Sequence, residues 1–310
     1  MASNDNVAQL KSEQREAEEV FQNNSLLATA LRRLRKDYLT LVAIMMLVLM
    51  TVFSFSEPLV SDYFNVNYTA PSSDRRFLPI GAEGHPFGTD NLGRDMLARL
   101  LRGGQISISI GIIAALASTF LGVTVGLIAG YYQGGTFSIV DDAIMWFITT
   151  LNSIPLLLLL ILLASVLTPS ISVLIGILTL VSWSGTMRLI RGETISQRSN
   201  EYIVAAKAMG AGDLRVMFQH ILPNTLSVLI TSLAIQIGTI ILVESALSFL
   251  GLGVRPPEPS WGNMLTSAQS YFRQAPHMSI LPGLFIVITV LSTYLVGDGL
   301  RDAFDPRNLN

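Results

Sequence analysis

The chain has 310 residues, of which 50% are hydrophobic and only 14% charged, with net charge −2 and mean hydropathy +0.52. Soluble domains carry about 25% charged residues, so this balance excludes an ordinary soluble globule and points to a polytopic, all-α membrane protein. It also excludes a broad basic face for nucleic acid, and the absence of cysteine excludes disulfides, thiolate catalysis and cysteine-ligated zinc.

Residues 1–37 form a polar tail, with Glu13, Glu16, Glu18 and Glu19 ahead of Arg32, Arg33, Arg35 and Lys36. A short amphipathic helix and a disordered tail both fit this composition. The basic cluster sits directly before the first apolar run, which places the N-terminus in the cytoplasm by the positive-inside rule. That run starts near Tyr38, behind a charged tail, and is too long for the core of a signal peptide; it is expected to remain as an anchor.

Six segments reach the ~20 residues needed to cross a bilayer: 38–56, 107–131, 143–167, 171–189, 225–249 and 280–296. The third begins beside Asp141 and Asp142 and contains Pro155. An even number of spans returns the C-terminal tail, 301–310, to the cytoplasm. The transmembrane core is then 107–300. Thirteen of the 20 lysines and arginines, including all three lysines, fall on the inside in this arrangement. No internal repeat suggests an inverted-repeat carrier.

Two segments expected outside are long for connectors. In 57–106, Asp95 to Arg102 reads as an interfacial amphipathic helix with Met96, Leu97, Leu100 and Leu101 on its apolar side. Gly103 and Gly104 are expected to break it before the second span. In 250–279, Pro256, Pro257 and Pro259 stiffen the backbone, and Trp261 reads as an interface anchor.

No enzyme constellation is present. A P-loop needs Gly-Lys followed by Ser or Thr, and the three lysines follow Leu10, Arg35 and Ala206. The run Leu101-Arg102-Gly103-Gly104-Gln105 resembles the signature loop of ATP-binding-cassette ATPases, but without a P-loop it implies no nucleotide site. His85 and His277 could meet outside, yet no carboxylate pattern supports a metal. Ion-coupled transport would require charges at mid-membrane. Glu244 is the one candidate, about 30 Å along its helix from Pro223. That depth is the outer boundary, where the carboxylate is expected to reach water as part of a gate or interface.

The strongest signal is the loop 198–224. Helix formers from Ala205 to Met209 lead to Gly210 and Gly212, and a second helical run ends at Leu222 and Pro223. This describes two short helices joined by a glycine turn, with Gly210 admitting φ > 0. Ala205 and Ala206 are small enough for a helix that sits deep in a partner's groove. The same residues also suit an amphipathic loop with no partner.

Ala205-Ala206, three residues, Gly210, then Leu222-Pro223 resemble the EAA loop of ABC importer permeases. The motif's glutamate belongs at 204, where this chain has Val204; Glu201 lies three residues earlier. Further blocks narrow the resemblance: HPFGTDNLGRDMLARLLRGGQISISIG at 85–111, ESALSFLGLG at 244–253, PPEPSWGNML at 256–265 and GDGLRDAFDPR at 297–307. Together they look like the C-type permease subunit of the dipeptide, oligopeptide and nickel importer family. One block departs: Trp146 and Thr149 stand where such permeases carry an Arg and an Asp.

The resemblance implies a type I ABC importer permease fold with six transmembrane helices and both termini cytoplasmic. It implies a multi-pass protein in a prokaryotic cytoplasmic membrane, forming half of a path for peptides. Nickel chelates, glutathione or oligosaccharides are alternative cargoes, and an ion-coupled secondary transporter is the alternative of another class. The implied partners are a second homologous permease, two ATP-hydrolysing subunits that bind ATP and Mg²⁺, an extracytoplasmic binding protein and membrane lipid. No cofactor is expected in this chain. The implied coupling residues are Glu201, Ala205, Ala206, Gly210, Leu222 and Pro223. Glu244, Gly251, Gly253 and Trp261 are the implied outer-gate or binding-protein contacts.

Overall fold

In the computed structural model, residues 26–134, 138–167 and 170–304 are described. Residues 1–25, and with them most of the N-terminal tail, lie outside this range. The described residues form helices and loops, with no strand beyond two isolated bridges. The helices in chain order are α1 (Leu26–Leu34), α2 (Tyr38–Phe55), α3 (Glu57–Phe64), α4 (Met96–Tyr132), α5 (Ser138–Asn152), α6 (Leu156–Val166), α7 (Ile171–Arg198), α8 (Glu201–Ala208), α9 (Leu222–Phe249), α10 (Trp261–Ala268) and α11 (His277–Phe304). A helical turn, Asp213–Arg215, and a π-helical stretch, Val216–Ile221, run directly into α9.

Polar residues set several starts. Asp37 accepts from the backbone N–H groups of Leu39 and Thr40 to begin α2, Asp95 accepts from Ala98 at 2.8 Å to begin α4, and Ser170 accepts from Val173 to begin α7. Each side chain satisfies donors that a helix N-terminus leaves unpaired. Ser260 and Asn263 cap α10 reciprocally.

Among the described residues, five helices are long and apolar enough to cross a membrane: α2, α4, α7, α11 and the run Asp213–Phe249 that contains α9. The third expected span is different. It is a pair, α5 and α6, bent by 86° at residues 153–155. Pro155 removes a backbone donor, and Leu156 restarts the helix behind it.

The expected interfacial helix at Asp95 to Arg102 is also revised. It is the first part of α4, which continues unbroken through Gly103 and Gly104 for 37 residues. Those glycines make room for a neighbour. A Cβ on Gly104 would overlap Ser54 of α2 and stand 2.8 Å from the Trp261 ring. Trp261 is therefore not an interface anchor. It is fully buried, and its Nε1–H donates to the Leu100 carbonyl at 3.0 Å.

The most extensive interface in the bundle joins α4 to α7. Gly122, Gly126 and Gly130, one turn apart, lie against the main chain of Trp183, Met187 and Arg191. A Cβ on any of the three would stand 2.7–2.8 Å from a carbonyl oxygen of α7. Small residues at this spacing let backbones approach closely within a membrane. α9 packs on α11 and α4, and α11 packs on α2.

Candidate functional site

The loop after α7 folds as a short helix laid across one end of the bundle. In α8, Ile203 and Ala206 are spaced by three and share a face. Both are buried, and Ile203 belongs to a cluster with Leu127, Tyr131, Ile190, Val216, Met217 and Ile221. Beyond α8, Gly210 adopts φ +89°, which reverses the chain toward Asp213. The first helical run and the glycine turn read from the sequence are therefore present, but the second run is not a separate short helix: Asp213–Ile221 continues without a turn through Leu222 and Pro223 into α9.

The opposite face of α8 is open and apolar for a loop. Tyr202 is 41% exposed, Val204 58% and Met209 84%, with Leu214 and Phe218 continuing the surface. Large apolar side chains left exposed on a loop are candidates for an interaction surface. Glu201, Ala205 and Gly210 are exposed on this side, together with Pro223 at the start of α9, while Leu222 is half-buried. Ala206 faces inward instead, on the side of α8 that packs toward α7 and the Val216–Ile221 stretch.

Polar contacts fasten this helix to the bundle. The Tyr131 hydroxyl at the end of α4 donates to Asp213 Oδ1 at 2.5 Å, and the Tyr132 hydroxyl donates to Oδ2 at 3.2 Å. The Lys207 ammonium stands 4.5 Å over the Tyr131 ring, an attraction to the ring's negative face. Arg198 Nη1 donates to the carbonyls of Tyr131 and Gln133, both at 2.7 Å, capping the negative end of α4. Two turns inward, Arg191 on α7 makes a two-pronged pair with Asp141 on α5 at 2.6 and 2.7 Å.

The other end of the bundle gathers the remaining predicted residues. Glu244 is fully buried and does not reach water. Depth along the helix does not decide exposure, because α4 and α10 cover this side. Its carboxylate accepts from Ser107 at 3.0 Å and from Ser248 at 2.6 Å, and Ser107 in turn accepts from the Trp261 N–H at 3.3 Å. One network thus joins α4, α9 and α10. Gly253 packs against Ser248, leaving no space for a side chain, whereas Gly251 is exposed with φ +79° and closes the end of α9. The two candidate outer histidines do not share a site: His85 Nδ1 pairs with Asp95 at 2.7 Å, and His277 Nε2 faces the Thr89 carbonyl at 3.1 Å. Among the described residues, no group of three or more His, Asp or Glu residues could hold a metal.

Two networks escaped the sequence. Gln236 on α9 accepts from Thr119 of α4 and Thr186 of α7, and donates to Ser118 and to the Ser182 carbonyl, tying three spans together. Asp90 accepts from the N–H groups of Leu92 and Arg94 and pairs with the Arg94 and Arg99 guanidinium groups at 2.7 and 3.4 Å. Neither shows a spacing motif; only the tertiary fold assembles them.

Residues 122–310 match the family of the binding-protein-dependent transport system inner membrane component. The chain is 36% identical over 277 residues to the glutathione transport system permease protein GsiD of Pectobacterium atrosepticum, covering 89% of both chains. It is 36% identical over 278 residues to the dipeptide transport system permease protein DppC of Alkalihalophilus pseudofirmus, covering 90% of this chain and 89% of that one. A putative peptide transport system permease of Brucella suis is 37% identical over 282 residues, 91% of each. The fold is similar to a chain of the MetNI methionine ABC transporter in an inward-facing conformation. That match has TM-score 0.58 and 18% identity, over 68% of this chain and 98% of that chain. The loop clamped beneath α4, the apolar spans and these likenesses agree: the chain belongs to the family of binding-protein-dependent transport system inner membrane components, and is a multi-pass permease.

Proposed function

We propose that the chain is one of two permease subunits of an ATP-driven importer of short peptides in a prokaryotic cytoplasmic membrane. The observation that carries this reading is the exposed apolar face of α8, held rigidly against the end of α4. The α8 end faces the cytoplasm, consistent with the bias of lysine and arginine toward that side. Relatives named for dipeptide, glutathione and peptide transport support peptides as cargo.

ATP hydrolysis belongs to two partner subunits, which bind ATP and Mg²⁺. Glu201, Val204, Ala205, Gly210 and Pro223 meet one of them, while Ala206 and Leu222 set the pose of α8 from below. When the partner moves, Tyr131 and Arg198 carry the displacement into α4. The glycine contacts make α4 and α7 one body, so the two shift together against α9 and α11 and open the path alternately to each side. The segments around Gly251, Gly253 and Trp261 face the extracytoplasmic binding protein, and the Glu244 network fixes their position from beneath.

Purification of the tagged chain tests this. The expected result is recovery of a second permease and P-loop ATPases, with ATP-dependent peptide uptake after reconstitution. Recovery of the chain alone, with flux driven by an ion gradient, would overturn it.

A further inference from the structure

A groove runs along α9. Its first compartment, about 290 Å³, lies between α6, α7 and α9 and is lined by Leu160, Ser182, Gly185, Gln236 and Thr239 among others. The second, about 500 Å³, lies nearer the α8 end between α7, α9 and α11. Ser232 and Ile235 line both. The lining positions on α9 extend from Ser227 to Val243, roughly 24 Å at the rise of an α-helix. That is most of the thickness of a hydrocarbon core.

The two compartments differ in chemistry. The first has no charged lining residue. The Gln236 amide is fully engaged by α4 and α7, so this compartment offers cargo few free hydrogen-bonding groups. The second carries one acid and one base, Glu193 on α7 and Arg301 on α11. Three acid–base pairs elsewhere are closed: Arg191 with Asp141, Arg94 with Asp90, Arg102 with Glu258. Glu193 and Arg301 make no ion pair or hydrogen bond among the described residues. They stand on different helices across a cavity whose remaining polar lining is Ser227, Thr231 and Ser232.

Opposite charges held apart in this way match a molecule that carries an ammonium at one end and a carboxylate at the other. The volume falls within the ~300–1,000 Å³ of small-molecule sites. We propose that the groove is this chain's share of the transport path, and that Glu193 and Arg301 form a transient site for a zwitterionic short peptide. Glu193 receives the terminal ammonium and Arg301 the terminal carboxylate. Glu193 is half-buried and Arg301 exposed, so the site is weak, as a release site must be if cargo is to leave. The inference rests on the importer reading above and names the form of cargo that the permease itself holds.

The chain has no cysteine, so a single introduced thiol reports one position. In the assembled complex carrying Ser232→Cys, labelling of this chain by a charged maleimide is followed with and without millimolar dialanine. Dialanine is expected to slow labelling, by about fivefold once its concentration is about four times the dissociation constant of the site. N-acetyl-dialanine amide, which lacks both charges, is expected to give no protection. Adding Glu193→Gln or Arg301→Gln is expected to remove the protection by dialanine. Leu189→Cys, exposed in the same cavity, repeats the measurement from α7 if Ser232→Cys does not assemble. Labelling that ignores dialanine, or equal protection by the capped peptide, overturns the site. ATP-driven uptake by the unsubstituted complex separates the two ideas: uptake without protection removes only this site, whereas absence of uptake removes the importer reading.

Discussion

Tyr131 and Asp213 lie 82 residues apart in sequence and share a 2.5 Å hydrogen bond from hydroxyl to carboxylate. The bond joins the last turn of a transmembrane helix to the segment that follows the docking helix. Tyr131→Phe keeps the ring, and with it the contact to Lys207, but removes the donor. The loss is about 1 kcal/mol for a charge-assisted bond at a partly exposed site. The expected outcome is a fall of about fivefold in peptide moved per ATP hydrolysed, measured in proteoliposomes, with near-normal assembly.

Gly210 stands at φ +89° with nothing near the position of a Cβ. A side chain there meets no clash and pays only for backbone strain, of roughly 1–2 kcal/mol. Gly210→Val is expected to reach the membrane at wild-type level while uptake is lost. Gly210→Asn is expected to retain more uptake, because Asn tolerates the left-handed region. Normal uptake in the Val variant would show that the turn does not set the pose of α8.

Gly126 tests the seam between α4 and α7. A Cβ there would stand 2.7 Å from the Met187 carbonyl and 3.0 Å from the Ile190 Cβ. Neither atom can rotate away. Gly126→Ala is expected to destabilise by about 1–3 kcal/mol, the usual range for overpacking, and Gly126→Leu is expected to prevent assembly. Thermal unfolding in detergent measures the first and yield of the complex the second.

Glu244 sits among hydroxyls that have few other acceptors. Glu244→Leu would strand the Ser107 and Ser248 hydroxyls, at about 1–3 kcal/mol for each donor left unsatisfied. Glu244→Gln keeps one acceptor and is expected to cost less. The measurement is the melting temperature of the purified complex, and the order Gln above Leu is the expected result.

Much of this architecture was legible because the membrane imposes simple rules. Span length marked α2, α7, α9 and α11, and a glycine between two helical runs marked the turn at Gly210. What the sequence concealed depends on neighbours. Pro155 announced a break but not the 86° angle, which packing decides. Gly103 and Gly104 looked like helix breakers, yet inside a helix glycine also makes room, here for Trp261. Depth along α9 placed Glu244 near the boundary, but a distance along one axis says nothing of what lies beside it. Gln236 carried no signal, since an uncharged residue in an apolar helix stands out only once its partners surround it.

The middle of α8 has one further consequence. Val204 is 58% exposed where the related loop motif carries glutamate. A groove that receives valine gains from an apolar wall, and a groove built for glutamate would leave its donor unpaired. Under the proposed importer reading, the chain and its ATPase are therefore a matched set, and exchange with the ATPases of a glutamate-bearing importer is disfavoured.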